Sequence, residues 1–192
     1  MYPYSLKGAI EDRNNADYIY SISEIFSLKG KKHESIRRKI NQFAKRDNIT
    51  YESINKTQLD ILWNFSQKTL IKAKHNTPEQ FESLNTEQSA IEKLIFFKDQ
   101  LNIQIDGLWI RNHLVGFTIT EVIPNQTLLI HIFRTKIDLP GISEFLFWQL
   151  SKKYQPKCNL INFEQDLGLT GLRQFKLSLK PIEIKMVYTL TL

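Results

Sequence analysis

Between Ile103 and Arg134 three runs of alternating apolar and polar residues follow one another, separated only by Arg111-Asn112-His113-Leu114 and Pro124-Asn125-Gln126. No other stretch limits the fold so strongly. Strands joined by breaks this short return antiparallel to one another, whereas parallel neighbours need a crossover of a dozen residues or more. Upstream the apolar period is helical. Ile36, Ile40 and Phe43 predict a helix over 33–46, and Leu59, Leu62, Trp63, Phe65 and Leu70 predict one capped by Thr57 and running to about Lys74, where His75-Asn76-Thr77-Pro78 breaks it. Pro78 opens a short helix to about Leu84, and Thr86 caps another along Ile91, Leu94, Ile95 and Phe96. Residues 48–54 read as an early strand. Downstream come a helix over 142–154, a strand over 158–162, a short helix after Thr170 and a last strand over 182–192. The N-terminus is expected to be an irregular lead-in over 1–15 and a short helix over 17–28 (Ile19, Ile22, Ile25, Phe26) stopped by Lys29-Gly30. The fold class is α/β (α+β), a mixed, mostly antiparallel sheet flanked by helices.

With 192 residues, 42% of them hydrophobic, the chain can bury one core. A single cysteine, Cys158, excludes an internal disulfide framework and a cysteine metal cluster, and implies a reducing compartment. No run approaches the length of a membrane span, and MYPYSLKGAI lacks the basic start and apolar centre of a signal peptide, so a cytoplasmic location is expected. The net charge of +6 is concentrated: eight of 26 basic residues fall between Lys29 and Arg46, against one acid, Glu34. On the 33–46 helix the apolar stripe places Arg38 and Lys45 opposite and Lys39 and Arg46 on a flank. With Arg37 these side chains form a basic exterior that suits phosphates of tRNA, coenzyme A or an anionic lipid surface. A solvated face that keeps the chain soluble explains the same charges.

Chemistry concentrates between Cys158 and Pro181. Asn162, Glu164, Gln165 and Asp166 crowd the exit of a short buried strand with acceptors, and strand exits are where open α/β sheets place their sites. Gly168 and Gly171 bracket a turn, Thr170 is placed to cap the next helix, and Arg173 and Lys176 project from it. Two readings stay open: a polar cleft lined by Asn162, Asp166, Arg173 and Lys176, or an Asp166–Arg173 ion pair that pins the turn.

This stretch resembles the closing signature of the phosphatidylglycerol lysyltransferase C-terminal domain family, N-x-E-x-D-L-G-x-x-G-L-R-x-x-K-x-S-x-x-P. It is carried here by Asn162, Glu164, Asp166, Leu167, Gly168, Gly171, Leu172, Arg173, Lys176, Ser178 and Pro181. A second block, Gly30-Lys31-Lys32, Arg37-Arg38 and Asn41-x-Phe43, is similar too, as is Asp17-Tyr18-Ile19-Tyr20. Departures are Ile36-Arg37-Arg38 where the family has Lys-Arg-Asn, and Phe133-Arg134 after His131 where it has Glu-Lys. The resemblance implies a GNAT (acyl-CoA N-acyltransferase) fold, present in tandem in family members, the lysyltransferases moving an aminoacyl group from tRNA to a lipid head group. It covers the linker region and the second fold, from about Asp17 onward, so a single GNAT-like domain is expected over 31–192, with 1–30 an N-terminal lead-in and short helix and a candidate remnant of a first repeat.

Acyl-CoA or aminoacyl-tRNA is then the donor to consider. GNAT enzymes that use acetyl-CoA hold pyrophosphate on a glycine-rich loop at a helix N-terminus. Arg134-Thr-Lys-Ile-Asp-Leu-Pro-Gly141 has one glycine and a proline there, which predicts weak acetyl-CoA binding unless Arg134 and Lys136 compensate by side-chain contact. Aminoacyl transfer needs a base for the acceptor, donors for an oxyanion and cations for the donor's anionic end. Glu121, in the family-like context Gly116-Phe-Thr-Ile-x-Glu121, and Asp166 are the candidate catalytic residues. Asn162, Glu164, Arg173, Lys176 and Arg134 are the candidate substrate-binding residues, and no metal is expected. His131, inside Leu-Leu-Ile-His-Ile-Phe, reads as a core residue. A transferase, a catalytically degenerate binding module, and a binder of tRNA or anionic lipid through the basic helix all remain open.

Overall fold

The computed structural model describes residues 9–190 apart from 77 and 137. One seven-stranded sheet carries the chain: β1 (Ala9–Ser21), β2 (Ile49–Ser53), β3 (Ile103–Ile110), β4 (His113–Ile123), β5 (Thr127–Thr135), β6 (Leu160–Asn162) and β7 (Glu183–Leu190). Their spatial order is β2-β3-β4-β5-β6-β1-β7. The helices are α1 (Ile22–Ser27), α2 (Glu34–Phe43), α3 (Leu59–Asn76), α4 (Pro78–Phe96), α5 (Ile142–Tyr154) and α6 (Thr170–Ser178).

The β3–β4–β5 meander forms where the alternation predicts it. Arg111 and Asn112 occupy positive φ (48° and 63°), the left-handed pair that a two-residue hairpin turn needs to match strand twist, and in the three-residue Pro124-Asn125-Gln126 turn Asn125 and Gln126 do so too (63° and 54°). α2 likewise buries Ile36, Ile40 and Phe43 as their spacing dictates, each burial worth roughly 1.5–3 kcal/mol. It packs with α1 and α5 on one face of the sheet, and α3 and α4 cover Ile105, Phe117, Ile119 and Ile132 on the other.

Three local expectations change. Residues 17–21 belong to a strand, not a helix: β1 lies inside the sheet, antiparallel to β6 and to β7, so the sheet runs through the boundary expected at residue 30. Tyr18, Ile19 and Tyr20 are all buried, as in a strand covered on both faces, and such a strand shows no alternation. Only 22–27 is helical, and it ends in a left-handed Leu28 (φ 47°) rather than at Gly30. The first eight residues of the expected lead-in lie outside the described residues. Second, the cap before α3 is Asn55, whose side chain accepts from Thr57 N–H, and the break expected near Thr77 falls on an undescribed residue. Third, α4 is a single helix, and Thr86 hydrogen-bonds back to Glu82 O inside it instead of capping a second one.

Two irregularities position the site. β5 and β6 are parallel and pair only from Thr127↔Leu160 to Leu129↔Asn162. β6 then ends while β5 continues to Thr135, so the sheet forks. In the β4–β5 ladder Ile119 pairs with Ile132 and Thr120 with Ile130, leaving His131 as the extra residue of a bulge. The bulge inverts the strand's phase: Ile130 packs into the α1/α2/α5 core and Ile132 into the α3/α4 core.

Candidate active-site cleft

A cleft of about 620 Å³ opens at the fork, within the size range of small-molecule sites. Ile130 to Thr135 of β5 form one wall and Phe163 to Gln165, just past β6, the other. Glu87 of α4 and Leu172, Phe175 and Lys176 of α6 close it. Phe133, Phe163 and Phe175 lie within 6.3 Å of one another, centroid to centroid, and make its apolar floor.

His131 stands in this cleft between two carboxylates. Its Nε2 is 3.2 Å from Glu121 Oε2 and its Nδ1 3.4 Å from Glu164 Oε1. The bond with Glu164 raises the imidazole pKa, burial opposes this, and Glu121 adds to the rise, so the net shift is upward. Glu164 itself adopts φ 49°, a left-handed conformation uncommon for a side-chain-bearing residue. Asn162 Oδ1 holds it by accepting its N–H at 2.8 Å, an Asx-type turn. Lys176 fixes both flanks: the buried Nζ donates to Phe163 O and, at 2.7 Å, to Gln165 O, and it lies 4.5 Å over the Phe163 ring. Burial pushes the Lys176 pKa down to about 8, against the opposing pull of Glu164, Asp166, Asp17 and Glu87.

The predicted site residues are divided by this geometry. Glu164, Lys176 and Arg134 line the cleft, and Glu121 reaches it through His131. Asn162, Asp166 and Arg173 do not form part of the wall, which corrects the expectation that they line it with Lys176. Asp166 is fully buried and accepts Arg173 Nε and a second guanidinium N–H at 2.8 Å each, Gly168 N–H at 2.9 Å, Tyr18 O–H, and Arg13 at 3.4 Å. Burial alone would raise this carboxyl's pKa, but the bonds from Arg173, Tyr18 and Gly168 outweigh it and hold the group well below the usual carboxylate range. Arg173 also donates to Asn14 Oδ1, and Asn162 Nδ2 to Asp17 Oδ2. The cluster ties the first turn of α6 to β1.

Arg134 touches the cleft with its donors already engaged. It is 4% exposed and bonds Glu87 twice (3.0 and 2.9 Å), Ser66 O and Oγ, Gln88 Oε1 and Leu84 O, fastening α3 and α4 to β5. It is not free to compensate for a glycine-poor loop. Gly141, the loop's one glycine, has φ +80°, and a Cβ there would lie 2.7 Å from Lys39 O, so it serves the approach of α2. On α2, Arg37 donates to Leu28 O and Gly30 O, Lys39 pairs with Glu144 at 2.7 Å, and beyond the helix end Arg46 stacks 4.5 Å over Phe43. Arg38 and Lys45 remain exposed.

His131 and Glu87 were missing from the expected site. The apolar run around His131 hides it, because the bulge that turns it into the cleft depends on the pairing of β4 with β5. Glu87 has no sequence signal apart from its place in a helix.

A mixed, mostly antiparallel sheet forked between parallel strands, with helices on both faces, defines a GNAT-like α/β domain, an acyl- or aminoacyl-transferase-like fold. Within that class the chain belongs to the family described as phosphatidylglycerol lysyltransferase, C-terminal, which matches residues 4–191. Among solved structures it is similar to a conserved Bacteroides thetaiotaomicron protein of unknown function, with 28% identity and a TM-score of 0.84 over 94% of this chain and 60% of that one. It is also similar to the C-terminal domain of an Agrobacterium fabrum protein provisionally described as a lysylphosphatidylglycerol synthetase (17%, TM-score 0.67, 95% and 61%) and to L-PGS from Bacillus licheniformis (17%, TM-score 0.63, 96% and 62%). The chain spans about three fifths of the length of these structures. A search of curated proteins gives no match. Among the described residues, no helix is long and apolar enough to cross a membrane.

Proposed function

We propose that this chain transfers an aminoacyl group to an amine or hydroxyl acceptor in the cleft at the β5–β6 fork, with His131 as the base. The observation that carries this reading is the imidazole at the β5 bulge, held between Glu121 and Glu164 and open to the cleft. In the neutral imidazole Glu121 accepts the Nε2 proton and fixes the tautomer, and the bound acceptor takes the place of Glu164 against the Nδ1 lone pair. The acceptor binds against Glu164 and gives its proton to Nδ1 as its nitrogen or oxygen attacks the ester carbonyl. The leaving hydroxyl takes that proton back as the carbon–oxygen bond breaks. Glu121 stabilises the imidazolium in between. Lys176 spends two of its three N–H donors on the carbonyls around Glu164, and the third supports charge on the reacting carbonyl oxygen.

An aminoacyl ester suits the site better than a CoA thioester. Glu87 and Glu164 favour the free ammonium of an aminoacyl group, and the segment between β5 and α5 offers neither a run of glycine N–H groups nor a free Arg134. Asp166 and Arg173 hold α6 in this reading, so that Lys176 reaches Phe163 and Gln165.

The test follows hydroxamate formation from alanyl and lysyl p-nitrophenyl esters with hydroxylamine as acceptor. The wild-type chain should accelerate transfer over buffer, and His131→Ala should abolish the acceleration. Equal rates for wild type and variant, or for protein and buffer, would remove the reading. Acetyl-CoA supplied in place of the ester should not be consumed.

A further inference from the structure

A second hollow, of about 560 Å³, lies beside the cleft, between α3, the β3–β4 turn and the end of β5. Its apolar lining includes Ile61, Phe65 and Leu114, and Lys68, Lys72 and Lys136 line it with His113. Lys68 and Lys72 sit four residues apart, which puts them on one face of α3. Lys136 is placed opposite by its own backbone, whose N–H donates to Val115 O at 2.8 Å. Among the described residues the carboxylate that meets these lysines is Asp138, 3.5 Å from Lys72 and 4.0 Å from Lys136, and all three of those side chains are about half exposed. Lys68 makes no ion pair among the described residues. His113 Nδ1 lies 2.9 Å from Arg111 O, which ties that nitrogen to the turn and leaves Nε2 for a ligand.

We infer that this hollow is a binding site for an organic phosphate, an ester whose phosphate sits on Lys68, Lys72 and Lys136 while its apolar body lies on Ile61, Phe65 and Leu114. Among the described residues, three ammonium groups against one carboxylate leave an excess of positive charge over an apolar lining. A bare inorganic ion would not cover that lining, and a neutral apolar molecule would leave the lysines unmatched. The basic exterior of α2 differs in kind, because Lys39 is paired with Glu144 and Arg37 and Arg46 are bound to their own chain. Thr69 and Thr135 line both hollows, so a ligand anchored here continues into the cleft. That continuation rests on the transferase reading. The anion site does not.

The probe is 1-naphthyl phosphate, titrated calorimetrically into the full chain beside inorganic phosphate and 1-naphthol. Naphthyl phosphate should bind at least tenfold more tightly than either, and more weakly as salt is raised. The triple variant Lys68→Gln/Lys72→Gln/Lys136→Gln should lose at least tenfold in affinity with an unchanged melting temperature, because the three side chains are exposed. Arg38→Gln/Lys45→Gln should bind as wild type does, and so should His131→Ala, which separates this site from the catalytic proposal. Unchanged affinity in the triple variant, loss in the α2 variant instead, or inorganic phosphate binding as tightly as the aryl ester would overturn the assignment.

Discussion

Glu164 and Asp166 stand two residues apart, and each meets a basic side chain, yet their surroundings are opposite. Asp166 has no exposed surface, and its two oxygens accept from Arg173, Tyr18, Gly168 and Arg13. Glu164 is 33% exposed and meets His131, itself 24% exposed, at 3.4 Å across an open cleft. The first cluster is closed and saturated, so it stabilises a chain reversal. The second retains a wall to which a substrate has access. A carboxylate beside a basic side chain therefore says little about role until the unfilled coordination around it is known. Here that depends on whether the next turn folds over the carboxylate (Asp166) or leaves it at the mouth of the fork (Glu164).

The contrast is broken most sharply by removing the centre of each cluster. His131→Ala should lower the transfer rate by about 10²- to 10⁴-fold, the range for a positioned base, while its melting temperature stays near that of wild type. Asp166→Ala should act the other way, costing about 3 kcal/mol of stability, the low end for breaking a buried pair because Arg173 and Arg13 are about a third exposed and can turn to water. Denaturant titration measures the cost. A stable Asp166→Ala protein without activity would reverse the two assignments.

Acid should separate the clusters further. The Asp166 pKa is depressed on folding, so its stabilisation is present above the unfolded carboxylate value of about 3.9 and is lost as pH falls below it. The stability gap between wild type and Asp166→Asn should thus be constant near neutrality and shrink below about pH 4. His131 is shifted the other way, and a base with a raised pKa is switched off at low pH and gains activity as pH rises through that pKa. Glu164→Gln removes the largest cause of the rise. The acidic limb of the pH–rate profile should then move to lower pH, and an unmoved limb would take His131 and Glu164 out of the proton path. The smallest effect expected is at the rim of the closed cluster, where Arg13→Gln should cost about 0.5 kcal/mol by thermal unfolding, as for a partly exposed ion pair.

Local rules were enough for the parts of this chain whose partners are close in sequence. The Arg111-Asn112 and Asn125-Gln126 turns, the three strands they join, the apolar stripe of α2 and the span of α5 follow from period and turn chemistry, because the energies that select them act within a few residues. The family signature around Glu164 and Lys176 is likewise carried by residue types in order, and it lies at the end of the sheet where the cleft opens. It did not separate Glu164 and Lys176, which line the cleft, from Asp166 and Arg173, which do not.

Tertiary structure decided the rest. Ile19, Ile22, Ile25 and Phe26 mimic a helical stripe, and β1 becomes a strand because β6 and β7, more than 130 residues away, supply its hydrogen bonds on both sides. The cleft face of β5 was hidden for a related reason. Leu128, Ile130 and Ile132 look like one alternating set, but the extra residue in the ladder sends Ile130 and Ile132 to opposite cores and leaves His131 between Glu121 and Glu164. Glu121 lies ten residues from that imidazole and Glu164 thirty-three, on strands whose register no local period encodes. Composition and spacing determined the elements whose partners are near in sequence, such as α2, α5 and the β3–β4–β5 meander. The pairing of β4, β5 and β6 determined which side chains face an open cleft, because a register is chosen by the burial of two whole faces at once.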